Sequence, residues 1–325
     1  MDKRQRVMSC LTLCAVIAIA GACNREAARG TGGGKPRVAL VMKTLNNPFF
    51  IDMQRGAEQA AKDLNVDLVV QAAERETDVE RQMQIVENLI QAHVGALALT
   101  PSGSREVVPV VGKANQANIP VVIVDTRLDQ KAAADAGVKT ASFVGSDNYK
   151  GGQIIGGYLV KVSNGKARVA VLEGIPGHET GDSRVRGFRD AIKGAPGVAI
   201  VASQPANWER DQGFNVFQNI LQAHPDVDTV FACNDIMGLG AIEAIAAANK
   251  SGQIRVLGFD AIDDARKAIT DGRMAATVAQ YPDEMGRAAI EAAVKAMKGE
   301  PVPADIGVRI GLITKDNAAR ESDRK

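Results

Sequence analysis

The sequence predicts an α/β protein made of two successive parallel sheets, each covered by helices on both faces. Two observations carry that expectation. From Arg37 onward, short β-branched runs alternate with longer amphipathic segments, the pattern of repeated strand, helix, strand units whose strands are buried on both sides. After "ASFVGSDN", residues 141–148, the same alternation starts afresh with a second set of similar make-up.

The elements follow in order. "RVALVM" reads as the first strand and Pro48 to Leu64 as the first helix, whose proline suits a first helical turn. "VDLVVQA" and Val79 to Ala92 come next, then "GALALT" and Arg105 to Ala117, then "IPVVIVD". The second set runs helix Tyr149 to Val162, strand "ARVAVLE", helix Gly181 to Lys193, strand "VAIVASQ" and helix Arg210 to His224. It continues with strand "TVFACND", helix Met237 to Ala248 and strand "IRVLGFD". Strand "AATVAQ", helix Pro282 to Lys298 and one last strand near "VRIGLI" close the chain. The Val and Ile content of the strand segments suits a pleated, buried surface.

Ahead of the first strand lies an export-type start: Lys3, Arg4 and Arg6, the apolar stretch Val7 to Ala20, then small residues and Cys23. Residues 1–22 are the expected signal peptide, because the apolar stretch is shorter than the ~20 residues of a spanning helix. Ala20-Gly21-Ala22-Cys23 resembles a bacterial lipobox, which makes Cys23 the expected lipidation site, although Ala20 stands where that motif more often has leucine. Residues 23–36, polar and glycine-rich, read as a flexible tether. They are no phosphate loop: Pro36 follows Lys35 where Ser or Thr would be needed, and no strand precedes.

Loss of residues 1–22 removes Lys3, Arg4, Arg6 and Asp2, which takes the formal charge of the 325-residue chain from +1 to −1. A near-neutral protein has no electrostatic bias toward nucleic acid. Cys10 and Cys14 leave with the signal and Cys23 is lipidated, so Cys233 has no disulfide partner and is expected in the core as a small hydrophobe. His93 and His224 fall at helix ends and His178 in a glycine-rich loop. With no nucleophile elbow and no paired Cys/His spacing, the sequence points to a binding protein without metal or cofactor rather than to an enzyme.

Ligands of open parallel sheets bind beyond the carboxyl ends of the strands. The residues there are Lys43, Asn47 to Phe50, Thr100, Asp125, Glu173, Gln204 to Trp208, Asn234-Asp235, Phe259-Asp260 and Gln280. Flat aromatic faces among carboxylates, amides and arginine suit a polyhydroxylated ring, whose hydroxyls each need a partner once buried. Taken singly, several have a plainer reading. Asn47 is a helix start, Asp125 and Asp260 are turn formers or helix caps, Lys43 is half of an ion pair within the cleft, and Asp235 caps the helix near Met237.

"ALVMKTLNNPFF", "ANQANIPVVIVD", "VGSDNYKGGQIIG", "SRVRGFRDAI", "SQPANW", "LQAHPDVDTVFACND", "VLGFDAIDDARKAI" and "DGRMAATVAQYPDEMG" together resemble the periplasmic sugar-binding proteins of the ribose-binding type. The similarity runs in order from Arg37 to the final strand. It implies two Rossmann-like parallel-sheet lobes, joined by a three-crossing hinge with the ligand cleft between them. The N-terminal lobe would be residues 37–146 plus 281–309, and the C-terminal lobe residues 147–280 plus 310–325. It also implies a monomeric, periplasmic or cell-surface component of an ATP-driven importer. Such a component takes a sugar or polyol to a membrane permease or, alternatively, presents its closed form to a chemoreceptor or sensor kinase. A regulator of the lac-repressor family, which shares the fold, would need a helix-turn-helix where the signal and tether stand.

Residue by residue, the resemblance lines the first lobe with Asn47, Phe49, Phe50 and Asp125, the two phenylalanines packing on the sugar ring. From the second lobe it implies Arg184 on ring hydroxyls, Trp208 stacking where relatives often have phenylalanine, Asn234, Asp260 and Gln280 completing the hydrogen bonds, and Phe259 within the pocket. Ser146, Asp147 and Gln280 fall near the hinge. Three positions depart from the ribose pattern: Lys43 replaces a small polar residue, Thr126 replaces an arginine that reappears one place later as Arg127, and Glu173 replaces a neutral amide. Lys43 and Glu173 are therefore expected to reshape the polar contacts for another pentose, a hexose, a sugar alcohol or a sugar acid.

Overall fold

The computed structural model describes residues 35–319; the expected signal peptide, the Cys23 lipidation site and the tether up to Gly34 lie outside them. Two six-stranded sheets organise the chain. The first holds β1 (Arg37–Met42), β2 (Asp67–Ala72), β3 (Ala96–Leu99), β4 (Val121–Val124) and β5 (Ser142–Ser146). The second holds β6 (Lys166–Glu173), β7 (Gly197–Pro205), β8 (Thr229–Ala232), β9 (Arg255–Asp260) and β10 (Ala276–Ala279). β11 (Asp305–Val308) completes the first sheet and β12 (Gly311–Thr314) the second. Strand order is β11-β5-β4-β3-β1-β2 in one and β12-β10-β9-β8-β6-β7 in the other, parallel throughout except that β12 runs antiparallel to β10.

The connecting helices are α1 (Pro48–Leu64), α2 (Val79–Gln91), α3 (Val108–Gln116), α4 (Gln130–Asp135), α5 (Asn148–Val162), α6 (Glu179–Ile192), α7 (Arg210–Ala223), α8 (Asp235–Ala247), α9 (Asp263–Thr270) and α10 (Pro282–Met297). Alternation of side chains along each strand divides the first core in two. Ala39, Val41, Leu97, Leu99, Val121 and Ile123 meet α2 and α3, while Val38, Leu40, Met42, Ala98, Val122 and Val124 face the side covered by α1 and α10. The edge strands β2 and β7 are only half-buried.

Three features differ from the sequence expectation. α4 and α9 are additional helices; α4 buries no side chain, so it has no apolar stripe to read. The single strand expected near "VRIGLI" is two strands, β11 and β12, in different sheets and separated by Arg309 and Ile310. The chain thus passes between the sheets three times: from β5 into α5, from β10 into α10, and from β11 into β12.

α5 and α6 lie against each other with backbones in contact. A Cβ on Gly187 would sit 2.0 Å from the Tyr149 carbonyl oxygen, and one on Gly152 would sit 2.2 Å from that of Arg184. This crossing fixes how far α6 stands from the sheet, and therefore where its first turns project. Because no side chain can give way, Gly187→Ala is expected to destabilise the protein by about 1–3 kcal/mol. Urea denaturation monitored by circular dichroism measures it, and an unchanged midpoint would contradict the close packing.

Candidate functional site

The carboxyl ends of both sheets face one another, and the loops that leave them bring most of the expected residues around a single narrow cavity. Three of those residues have backbones in the left-handed region: Asp125 (φ 63°), Trp208 (φ 68°) and Asp260 (φ 118°). Such conformations cost roughly 1–3 kcal/mol each for non-glycine residues and are found where function fixes a side chain.

On the first lobe, Asn47 caps α1: its Oδ1 accepts from the Phe49 amide at 3.0 Å, while its Nδ2 donates to Glu76 at 3.2 Å. The plain helix-start reading and the cavity position are both true of this residue. Phe49 and Phe50 follow in the first turn, edge to face with centroids 5.2 Å apart, and both line the cavity. Lys43, buried, donates to Thr126 Oγ1 at 2.8 Å and Asp125 Oδ2 at 3.1 Å, with Glu76 at 3.8 Å. It is thus an ion-pair partner within the cleft as well as part of the cavity wall.

On the second lobe, Arg184 donates to Asn148 Oδ1 at 2.9 Å and to the Cys233 carbonyl at 2.7 Å, and pairs with Asp260 at 3.5 Å. Gln280 donates to Asp260 at 2.8 Å, and its own Oε1 is buried without a partner. Asn234 caps α8 by accepting from the Met237 amide and donates to the Trp208 carbonyl at 3.3 Å.

Every expected site residue lines the cavity except Phe259 and Thr126. Phe259 lies behind the wall: the Arg184 guanidinium stands 3.8 Å over its ring, and the outer end of that ring fills the space beside Gly151. Thr126 holds Lys43 and meets Thr180 of the other lobe at 2.9 Å. Glu173 is also absent from the wall; its carboxylate accepts from Ser203, which in turn accepts from Arg189. Glu173 therefore supplies no side chain to the cavity wall, contrary to its expected place among the ligand contacts. Asp235 does not cap a helix either, because α8 starts two residues earlier than expected; it is buried against Thr277 Oγ1 and the Ile262 amide. α4 and α9 are capped from Asp129 and Ile262, not from Asp125 or Asp260.

Two wall residues were missed in the sequence, Glu76 and Thr180. Glu76 follows β2 and was legible by the same strand-end rule, but its loop, "ERETD", reads as a solvated charge run. Burial pushes its carboxyl up to about 7, against the opposing pull of Lys43 and the Asn47 amide. Asp260 is raised too, mainly by burial, with Arg184 pulling the other way. Cys233 is fully buried and its thiol pushed up to about 12. Among the described residues no helix is long and apolar enough to cross a membrane, and no cluster could hold a metal.

A two-lobed α/β scaffold with one polar and aromatic cavity between facing strand ends is the architecture of a periplasmic binding protein. Residues 38–301 match the periplasmic binding protein domain, and the chain belongs to that family. It is 41% identical over 281 residues to the Ribose import binding protein RbsB of Escherichia coli, covering 86% of this chain and 91% of that protein. Identity to the D-ribose/D-allose-binding protein of Pseudomonas aeruginosa is 39% over 270 residues, with coverages of 82% and 83%. Among solved structures, an ABC transporter periplasmic solute binding protein from Actinobacillus succinogenes with bound D-allose superimposes with a TM-score of 0.82 at 40% identity, covering 88% of this chain and 100% of that one.

The raised Glu76 carboxyl has a measurable sign. A carboxyl held above its ordinary value of about 4.5 favours the folded state while protonated, and this contribution is fully present below 4.5 and lost as pH rises through about 7. Glu76→Gln should therefore flatten the decline in stability between pH 4.5 and 7 relative to the parent, as read by urea midpoints across that range. Parallel pH profiles would show that Glu76 ionises normally.

Proposed function

We propose that the chain is the solute receptor of an ATP-driven importer and captures a neutral monosaccharide in the cavity between its lobes. One observation carries the reading: the unpartnered, buried Gln280 Oε1 stands in a wall that offers both donors and acceptors from two lobes. A buried acceptor left alone costs about 1–3 kcal/mol, and a sugar hydroxyl is the donor that removes the cost. Phe49, Phe50 and Trp208 supply apolar faces for the C–H surface of a ring. The family membership supports the same reading, as do the relatives whose names give ribose and allose as their ligands.

The charge inventory separates neutral sugars from sugar acids. Lys43 and Arg184 are matched by Asp125, Asp260 and Glu76, and both cations already bond to their own lobe's carboxylates. No surplus cation waits for an anionic ligand. Across the mouth of the cavity Thr126 meets Thr180, Glu179 N donates to Ser104 Oγ at 3.2 Å, and Arg75 pairs with Glu209, so the lobes already touch. The sugar stabilises that closed arrangement because only there are the polar groups of both walls within reach. Lobe boundaries near residues 146, 280 and 309 belong to this reading, as does a lipid tether at Cys23, which holds the receptor on the periplasmic or outer face of a membrane beside its permease.

Calorimetric titration against D-ribose, D-allose, D-glucose, myo-inositol and D-gluconate tests it. At least one neutral sugar should bind with micromolar affinity, about −8 kcal/mol. Asp125→Ala, which strips Lys43 of its partner, should weaken that binding 100-fold or more, by about 3 kcal/mol. Lys43→Ser should alter the ranking of the sugars. Absence of any ligand below millimolar, or gluconate as the tightest, would overturn the proposal.

A further inference from the structure

His178 lies just ahead of α6, outside the cavity wall, and is almost wholly buried. Its Nε2 stands 2.6 Å from the carbonyl oxygen of Ser102, on the opposite lobe. Its Nδ1 stands 3.4 Å from the indole Nε1 of Trp208. A carbonyl can only accept and an indole N–H can only donate, so these contacts demand one state of the ring: neutral, with the proton on Nε2. Trp208 has no freedom of its own to compensate. It takes a left-handed backbone conformation after another such residue, Asn207, and its ring fills the space that a Cβ on Gly174 would need.

We propose that His178 is a positioning residue for ligand capture, a latch whose neutral imidazole joins the Trp208 platform of one lobe to the Ser102 carbonyl of the other, so that protonating it loosens the closed cleft. This rests on the sugar-capture reading and adds to it a dependence on acidity. Protonation puts a second N–H on Nδ1, facing the indole N–H, and leaves Trp208 without its acceptor.

The surroundings work in the same direction. Burial, and next the Lys43 ammonium, pull the ring down to about 4, while its bond to Ser102 and the charge of Asp125 oppose them less strongly. Lys43 and Asp125 come from the ends of β1 and β4. On its own helix the nearby charges are Glu179, which accepts from Ser183, and Asp182. Beyond Trp208 is Glu209, paired with Arg75, and beyond Ser102 are Arg105 and Glu106, both exposed. In an open cleft the ring returns toward its ordinary value of about 6.5. The closed form is thus fully supported above about 6.5 and loses support as pH falls toward 4.

The test compares the parent with His178→Gln, which keeps a donor and an acceptor but carries no charge. Affinity for the tightest sugar is measured at pH 7.5 and pH 5. Glu76 and Asp260 titrate in both proteins, so the informative quantity is the ratio of variant to parent affinity. It should rise about 30-fold on going to pH 5. In parallel, imidazole 15N signals of the sugar-saturated parent should show a neutral, Nε2-protonated ring down to pH 5. A constant ratio with sugar bound, or a charged ring at pH 5.5 in the saturated protein, would overturn the latch alone. Absence of sugar binding by both proteins at pH 7.5 would overturn the capture reading and the latch with it.

Discussion

Each lobe buries one cation against one carboxylate at its strand ends, Lys43 with Asp125 and Arg184 with Asp260. Taking a charge out of water costs several kcal/mol, and a lone pair of charges seldom recovers it unless further hydrogen bonds surround both groups. Much of the site is that surround. Thr126 completes Lys43; Asn148 and the Cys233 carbonyl complete Arg184; Gln280 completes Asp260; and Phe259 gives the guanidinium a flat support. Two rigid half-sites result. In neither is the cation left without a carboxylate, and both turn polar groups toward the same space.

The backbone shows how that placement is enforced. Parallel strands end in step, so their following residues emerge on one edge, and a left-handed residue at the turn swings its side chain across that edge. Asp125, Trp208 and Asp260 all sit at such turns. None is glycine, so the conformations are held by neighbours: the Asp125 amide donates to the Val144 carbonyl, and the Trp208 ring is slotted against Gly174 and Gly181. The strain lies at the cavity wall, and regular strands and helices carry it.

How much of this was readable in the sequence follows from which signals are local. Strands buried on both faces leave continuous Val, Ile, Leu and Ala runs, so the two sheets and their order of appearance were legible. α4 was not, because it has no buried face, and the split between β11 and β12 was not, because "VRIGLI" is one short, mostly apolar run with only Gly311 to mark the break. In the site, residues directly after strands and conspicuous in type were found: Asn47, the two phenylalanines, Asp125, Trp208 and Gln280. Glu76, in a charged loop, and Thr180, in the first turn of α6, are ordinary polar residues with no local signal of their own. Phe259 and Thr126 show the converse error, since sequence position gives proximity to the cleft without saying which side of the wall a side chain takes.

The last crossing also governs the order in which the protein can be assembled. β11, at residues 305–308, pairs with β5, at residues 142–146, and α10 covers the face of the first sheet that β1 and α1 began. The first core is therefore incomplete on one face, covered there by α1 alone, until α10 is available, even though its first five strands come early. Contacts of such long sequence separation form slowly, because the loop must close before the contact rewards it. Chain connectivity thus makes the last quarter of the polypeptide part of the first lobe's core, so that lobe is completed only when its C-terminal return is in place.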